Sequence, residues 1–385
     1  MRYERVYIET LGYQLASCVV TTEELEDRLR PVYEKLRIER GQLEHITGIA
    51  ERRYWDRDHR VSQGAAAAGI RALEASSVDI DAIEMLIYAG VCREDFEPAT
   101  ACHVAARLKE SGYPLGRSTL IYDVSNACLG VLNGMLDVAN RIELGQIRAG
   151  MVLSCETARE INDATISGLL REPSMELFKA SIATLTGGSA AVAVILTDGS
   201  FGEQGRRRLR GAVVGAAPEH HTLCRWGMRP SGGRGRGPSE GPSEGRDTGP
   251  VTRRGTIGTG TGEREEMSWR QFAATDASAV LEHGVKLGAR TWDAFLVEME
   301  WSIGAVDRTV CHQVGSAHRD VMLHTLGLAS ERDFIAYDFL GNTGTAALPL
   351  ATALADERAF LRPGQNVALL GIGSGLNCMI LGVEW

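Results

Sequence analysis

The stretch "STLIYDVSNACLGVLNGMLDVANRIELG", residues 118–145, decides the fold, because a single cysteine joins a strand pattern to a helix pattern. Residues 118–125 are rich in apolar and β-branched side chains, which predicts a strand. The apolar residues that follow recur at the spacing of a helix face: Leu129, Leu132, Leu136 and Ala139. Cys128 lies at the junction. Free cysteine is among the most buried residue types, so its position alone fits a packing role as well as a catalytic one.

Strand and helix patterns alternate along nearly the whole chain, and a capping box from Thr21 to Glu24 opens the first predicted helix. The predicted strands include residues 5–20, 85–91 and 148–156, and the predicted helices include residues 21–36 and 100–110. This alternation predicts an α/β protein with layers of helices over largely buried strands.

Two distant segments share a pattern in which a Gly/Ser turn leads into an apolar strand. They are "TGGSAAVAVILTDG" (186–199) and "LLGIGSGLNCMILGVEW" (369–385). The repetition indicates a duplicated core, although two Gly-rich hairpins can also resemble each other by chance. We expect an N-terminal half, residues 1–200, that carries the cysteine, and a C-terminal half, residues 201–385.

One segment fits neither half. Residues 229–266 contain 11 of the 44 glycines, many Arg and Glu residues, and almost no apolar side chains. Such a composition buries too little surface to offset the entropy of ordering the chain. We therefore expect a disordered Gly/Arg-rich insertion.

Composition excludes several classes of protein. The net charge of −9 argues against a nucleic-acid partner, and no apolar run is long enough for a membrane span. The start of the chain lacks the apolar core of a signal peptide. The eight cysteines contain no C-x-x-C pair, which suits neither a metal site nor a disulfide framework. We expect a cytoplasmic protein without a metal.

Three other segments supply side chains that could act together with Cys128. His312 follows a short apolar strand in "TVCHQVG", Asn342 lies in the Gly-flanked turn "GNTG", and "GIGSGLN" (371–377) is a glycine-rich loop. Each of these features alone is most often structural. Because Cys128 directly precedes a predicted helix, free N–H groups and the helix dipole there should lower its pKa and favour a nucleophilic thiolate.

The motifs together resemble the thiolase superfamily, and within it the ketoacyl synthase III group. They occur in the order "TGIAERRYW", "NACLGVLNGM", "CHQVG", "GNTGTAALP" and "GIGSGLNCMILGVEW". The resemblance spans the chain apart from the insertion. It implies a duplicated five-layer α/β/α/β/α core, and it assigns catalysis to Cys128, His312 and Asn342.

The same resemblance implies a mechanism. Cys128 takes an acyl group from a coenzyme A or acyl carrier protein thioester, while the backbone N–H groups of Cys128 and Ser374 hold the oxyanion. A second thioester then attacks as a carbanion equivalent, with its oxygen bound by His312 and Asn342. No cofactor is implied beyond these substrates.

"DFEPATACHVAARL" places Glu97 before a helix that resembles the one bearing a subunit-crossing catalytic Glu in the OleA-type condensing enzymes. This implies a homodimer and a non-decarboxylative, head-to-head condensation of two acyl-CoA molecules in long-chain olefin or lipid biosynthesis. An acid at a helix start is also explained by the dipole alone. Compared with that family, extra residues within 109–118 are expected to enlarge the loop after this helix.

Three other functions stay open at this point. A decarboxylative 3-oxoacyl-ACP synthase III would use malonyl-ACP and need no separate base. A cysteine hydrolase also uses Cys, His and Asn, but such enzymes lack this duplicated Gly-rich framework. A non-catalytic partner subunit usually lacks the nucleophile, which is present here.

Overall fold

The computed structural model describes residues 1–202, 207–230 and 269–385. The predicted disordered insertion therefore lies outside the described residues, apart from Arg229 and Pro230. The backbone of these two residues forms the end of a strand, so the insertion begins later than predicted.

The described ranges contain strands β1 to β13 and helices α1 to α12. The strands are β1 Tyr7–Leu15, β2 Cys18–Thr21, β3 Glu51–Tyr54, β4 Met85–Ala89, β5 Leu120–Val124, β6 Ala149–Glu156, β7 Ala190–Thr197, β8 Arg207–Ala216, β9 Cys224–Pro230, β10 Trp269–Thr275, β11 Arg308–Cys311, β12 Asn366–Gly373 and β13 Asn377–Glu384. The helices are α1 Thr22–Arg28, α2 Arg30–Leu36, α3 Gln42–Thr47, α4 Val61–Glu74, α5 Thr100–Glu110, α6 Gly130–Glu143, α7 Arg159–Arg171, α8 Met175–Leu185, α9 Ala277–Met299, α10 Ser316–Leu326, α11 Tyr337–Leu340 and α12 Ala347–Glu357.

The main sheet consists of two half-sheets with the same internal order. In the first, β1 is antiparallel to β7, β7 is antiparallel to β6, and β6 and β5 run parallel to β4 on either side of it. In the second, β8 is antiparallel to β13, β13 to β12, and β12 is parallel to β11. The halves join where β1 pairs with β8 at Tyr7 and Ile8. The repeated order is what a duplicated core requires.

Helices cover the half-sheets in layers. Helices α4 and α5 pack on the outer face of the first half-sheet. Helix α9 packs on the outer face of the second half-sheet, and α10 packs against α9. Helices α6 and α12 lie between the two half-sheets. The largest apolar cluster surrounds α6 and α12, and each outer helix pair forms its own cluster with the strands beneath it. Strands β4, β6 and β7 are buried along their whole length because helices cover both faces.

Two predicted elements are divided in the structure. Residues 5–20 form β1 and β2 rather than one strand, and residues 21–36 form α1 and α2, which meet at Leu29. Pro31 causes the second division, because proline lacks an N–H and its ring clashes with the preceding helical turn. The predicted capping box is present, since Glu24 N–H donates to Thr21 Oγ1 at 3.1 Å and Thr21 N–H donates to Glu24 Oε2 at 2.7 Å.

No helix within the described ranges is both long and apolar enough to cross a bilayer.

Candidate active site

Cys128 lies in the short loop between β5 and α6, two residues before the first residue of the helix. The loop is tightly wound, because Leu129 N–H donates to Asn126 O at 2.9 Å and Gly130 N–H donates to Ala127 O at 3.3 Å. Ala127 adopts a left-handed conformation with φ +44°, which is rare for a residue with a side chain and stores strain beside Cys128.

The predicted lowering of the Cys128 pKa is wrong. Burial, together with smaller contributions from the neighbouring Cys224 and Glu156, raises the pKa of Cys128 to about 12. The side chain keeps some accessible surface. The free energy needed to remove the thiolate from water nevertheless exceeds the stabilisation that the helix N-terminus gives to it. Cys128 is therefore a neutral thiol at pH 7.

His312 directly follows β11, and its N–H donates to Leu370 O at 2.8 Å. The side chain is buried, and its Nδ1 has no hydrogen-bond partner among the described residues. Burial lowers the pKa of His312 to about 3, with a further contribution from His318. The imidazole is therefore neutral at pH 7 and presents one N–H donor.

Asn342 lies in the turn between α11 and α12, and both its backbone and its side chain are fixed there. Its N–H donates to Thr186 O and its carbonyl accepts from Gly188 N–H, both at 2.9 Å. Its Oδ1 accepts from Gly344 N–H at 3.0 Å. Because the amide oxygen is already used, the side chain offers its NH₂ group to a ligand, as a donor to a thioester oxygen must.

The Asn342 turn and strand β12, which pairs with the strand that leads to His312, both contact the first turn of α6. In the Asn342 turn, Thr345 Oγ1 accepts from Val131 N–H at 3.0 Å. A Cβ on Gly371, next to the residue that binds His312, would lie 2.6 Å from side-chain atoms of Leu129 and Leu132. The structure thus brings both C-terminal segments against the turn that follows Cys128.

Ser374 lies close to the same point but in a shorter loop than predicted. Strand β12 continues through Gly373, so only residues 374–376 form the turn before β13. A Cβ on Gly373 would lie 3.5 Å from the backbone N of Cys128. The hairpin tip that carries Ser374 therefore follows directly after the contact with Cys128.

An asparagine network missed by sequence reasoning joins the cysteine loop to this hairpin. Asn377 Nδ2 donates to Asn126 Oδ1 at 3.1 Å, and Asn126 Nδ2 donates to Asn133 Oδ1 at 2.6 Å. All three residues lie within the quoted motifs, but only the fold shows that they pair.

Glu97 is exposed in the single chain, within the loop of residues 90–99. The loop is pinned on both sides of it: Ser62 N–H donates to Glu94 Oε2 at 3.2 Å, and Asp123 accepts from Thr100 N–H at 2.9 Å. Phe96 beside it is fully exposed, which is unusual for a large apolar side chain. Among the described residues, Glu97 makes no hydrogen bond or ion pair with the Cys128 loop. The predicted enlargement of the following loop corresponds to residues 111–119, which lie between α5 and β5.

Glu156 is a second carboxyl group near Cys128 that sequence reasoning missed. It ends β6, and burial raises its pKa to about 7. The sequence signal that could have identified Glu156 is an acidic residue at the end of an otherwise apolar strand.

Among the described residues, no group of His, Cys, Asp and Glu side chains is arranged to hold a metal ion.

Comparison with known proteins identifies relatives along the whole chain. Residues 296–385 match the family model described as 3-oxoacyl-[acyl-carrier-protein (ACP)] synthase III C terminal. An acyl-CoA:acyl-CoA alkyltransferase of Shewanella oneidensis is 46% identical over 387 residues, covering 100% of both chains. One from Xanthomonas campestris is 29% identical over 386 residues, again covering 100% of both.

Comparison with solved structures identifies the same kind of relative. A crystal structure of Xanthomonas campestris OleA has a TM-score of 0.84 and 28% identity, covering 100% of this chain and 98% of that one. A crystal structure of the same protein with bound lauric acid and lauroyl-CoA has a TM-score of 0.83 and 28% identity, covering 100% of both chains. These likenesses confirm the predicted thiolase fold. The chain therefore belongs to the acyl-CoA:acyl-CoA alkyltransferase family, the OleA-type branch of the ketoacyl synthase III group.

Proposed function

We propose that this chain is an acyltransferase that joins two acyl-CoA molecules by a non-decarboxylative Claisen condensation through an acyl-Cys128 intermediate. The observation that carries the proposal is the contact of the Asn342 turn and of strand β12, whose Leu370 accepts from His312 N–H, with the first turn of α6 after Cys128. Full-length similarity to relatives named acyl-CoA:acyl-CoA alkyltransferase supports the choice of substrate.

In the loading step, the Cys128 sulfur attacks the thioester carbonyl, the new S–C bond replaces the bond to coenzyme A, and the thiol proton ends on the departing coenzyme A. The N–H groups of Cys128 and Ser374 hold the oxyanion. Because burial raises the pKa of the thiol to about 12, the thiolate forms only as the substrate is attacked. Stabilising the oxyanion is therefore the main contribution of the site to this step.

In the condensation step, Glu97 of a neighbouring protomer removes an α-proton from the second acyl-CoA. His312 and Asn342 donate hydrogen bonds to its thioester oxygen while negative charge develops there. The α-carbon then bonds to the acyl carbonyl carbon, the bond to Cys128 breaks, and the thiolate regains a proton. The product is a 3-oxoacyl thioester with a branch at C2.

The neighbouring protomer is part of the proposal, because Glu97 is exposed in one chain and lies beside the fully exposed Phe96. We infer a homodimer in which this loop packs on the partner. Light scattering should give the mass of a dimer for the parent protein and of a monomer for Phe96→Ser. A monomeric parent at micromolar concentration would contradict the assignment of Glu97.

A cytoplasmic location and a place in long-chain olefin or lipid biosynthesis complete the proposal. We also propose that the halves 1–200 and 201–385 are the two copies of the duplicated unit. The order of β1, β7, β6 and β4 in the first half-sheet is repeated by β8, β13, β12 and β11 in the second, which supports a boundary at the link between β7 and β8.

The runner-up is a decarboxylative 3-oxoacyl-ACP synthase III. The family match over residues 296–385 and a beta-ketoacyl-[acyl-carrier-protein] synthase III of Streptomyces coelicolor, 28% identical over 375 residues, favour it.

The first test is incubation of the protein with lauroyl-CoA as the sole substrate, followed by mass spectrometry. The proposal predicts a condensed 3-oxoacyl thioester, or the ketone that forms when water hydrolyses this thioester and the resulting 3-oxo acid loses CO₂; either product requires two lauroyl groups. Release of lauric acid alone would identify a hydrolase, and recovery of unchanged lauroyl-CoA would favour the malonyl-dependent synthase.

A further inference from the structure

The buried Glu156 binds the start of the loop that carries Glu97. Its Oε1 accepts from Val91 N–H at 2.8 Å and its Oε2 accepts from Cys92 N–H at 3.3 Å. The carbonyl of Cys92 also accepts from Tyr88 O–H at 2.6 Å. Both carboxyl oxygens of Glu156 therefore bind the backbone at the point where the chain leaves β4 and turns toward Glu97.

On its other side, Glu156 packs against the turn that orients Asn342. A Cβ on Gly344 would lie 3.3 Å from Glu156 Cγ and 3.5 Å from its Cδ. Gly344 is also the residue whose N–H holds Asn342 Oδ1, and its φ of +60° keeps that N–H in place. One buried carboxyl group thus touches the supports of two residues assigned to condensation.

Among the described residues, the Cys128 loop makes no hydrogen bond with Glu156, whose charge acts on Cys128 only by raising the pKa of the thiol. The Cys128 loop is held by its own turns and by the asparagine network of Asn126, Asn133 and Asn377. Loss of the Glu156 carboxylate should therefore affect the two half-reactions unequally.

We propose that Glu156 is a positioning residue for condensation, which fixes the segment leading to Glu97 and supports the turn that presents the Asn342 amide. This inference rests on the proposed function, because it divides the reaction into loading and condensation. In a dimer, one Glu156 supports Asn342 in its own site and Glu97 in the site of the partner.

Glu26 provides a matched control. It is 4% exposed, as is Glu156, and its carboxylate accepts from the N–H groups of Gly41 and Leu43 at 2.6 and 2.9 Å. It belongs to α1, within the separate apolar cluster of α1, α2, α7 and α8. Glu26→Gln therefore removes the same kind of buried contact without touching the site segments.

The experiment compares Glu156→Gln, Glu156→Asp and Glu26→Gln in the full-length protein with lauroyl-CoA. Loading of Cys128 is followed by intact mass, condensation by product mass spectrometry, and amide exchange by hydrogen–deuterium mass spectrometry. For Glu156→Gln we expect loading no slower than in the parent, because loss of this charge lowers the pKa of Cys128, together with condensation at least tenfold slower and faster exchange in residues 90–99 and 342–346. Glu156→Asp should lie between Glu156→Gln and the parent, and it decides the question if the glutamine variant does not fold.

Glu26→Gln should slow both steps equally, if at all, and speed exchange only near residues 41–43. An unchanged ratio of condensation to loading in the Glu156 variants, or unchanged exchange in residues 90–99, would overturn the proposal. If the parent forms no condensed product from lauroyl-CoA, the proposed function fails, whereas the exchange comparison still decides whether Glu156 holds these segments.

Discussion

At the residue scale, the roles of Cys128 and Asn342 are separable, because bond formation needs the sulfur whereas carbanion stabilisation needs the amide NH₂. We predict that Cys128→Ala never gains an acyl group. Asn342→Ala should still load lauroyl groups but condense about 10²–10³-fold more slowly, the usual cost of losing a donor to a developing oxyanion. Intact-mass and product measurements check both. Asn366→Ala is the control, since its amide binds Ala305 O away from the site. Equal loading by the two site variants would contradict the scheme.

Substitution of Glu97 tests how the carbanion is formed. The α-proton of a thioester is a weak acid, so its removal needs a positioned carboxylate together with stabilisation of the resulting oxyanion. Glu97→Gln should therefore keep Cys128 acylation but stop both product formation and exchange of the α-protons of acyl-CoA with deuterated water. Condensation at the parental rate in this variant would show that Glu97 is not the base.

Glu156 also gives the protein a specific dependence of stability on pH. Burial raises its pKa from 4.5 to about 7, so the folded protein keeps a proton that the unfolded chain releases between these values. The contribution of Glu156 to the free energy of unfolding is therefore fully present below pH about 4.5 and is lost as the pH rises through 7. The total loss is on the order of 3 kcal/mol. Glu156→Gln lacks this dependence. Urea unfolding at pH 5 and pH 8 should show the variant gaining stability relative to the parent at the higher pH, and a constant difference would refute the assignment.

At the element scale, α6 and strand β12 are packed so closely that only glycine fits at residue 371. A Cβ there would lie 2.6 Å from both Leu129 and Leu132, so Gly371→Ala should cost about 1–3 kcal/mol of unfolding free energy and displace the turn after Cys128. Gly168 in α7 is the matched control, because a Cβ added there would have no other atom within 4 Å. Gly168→Ala should stabilise the protein by about 0.5–1 kcal/mol. Urea denaturation measures both, and equal effects would show that residue 371 is not tightly packed.

The sequence predicts the elements whose signals are local. Helix α5 spans residues 100–110 as predicted, and α6 begins one residue after the predicted Leu129. The contacts that make a site are not local, since Thr345 binds Val131 and Asn377 binds Asn126 across the two halves. The predicted pKa of Cys128 failed for the same reason: a helix start is visible in the sequence, but the burial that outweighs it comes from tertiary packing.

At the scale of the whole molecule, the Gly/Arg-rich segment should be dispensable. Residues 232–262 lie outside the described residues, but the strands on either side pair directly, with Pro230 opposite Trp269. A short turn can therefore replace the segment at little entropic cost. We expect deletion of residues 232–262 to leave cooperative thermal unfolding and lauroyl-CoA condensation close to parental. Loss of solubility or of a cooperative transition would show that the segment contributes to the fold.

The central claim is that both carbon chains of the product come from acyl-CoA. The most direct test gives the protein lauroyl-CoA labelled with carbon-13 at its carbonyl, together with unlabelled malonyl carrier protein, and measures the isotope content of the condensed product. The account predicts a product that retains both lauroyl chains, with two labelled carbons before any decarboxylation. A product with one labelled carbon and a two-carbon extension from malonyl would contradict it and establish the decarboxylative synthase.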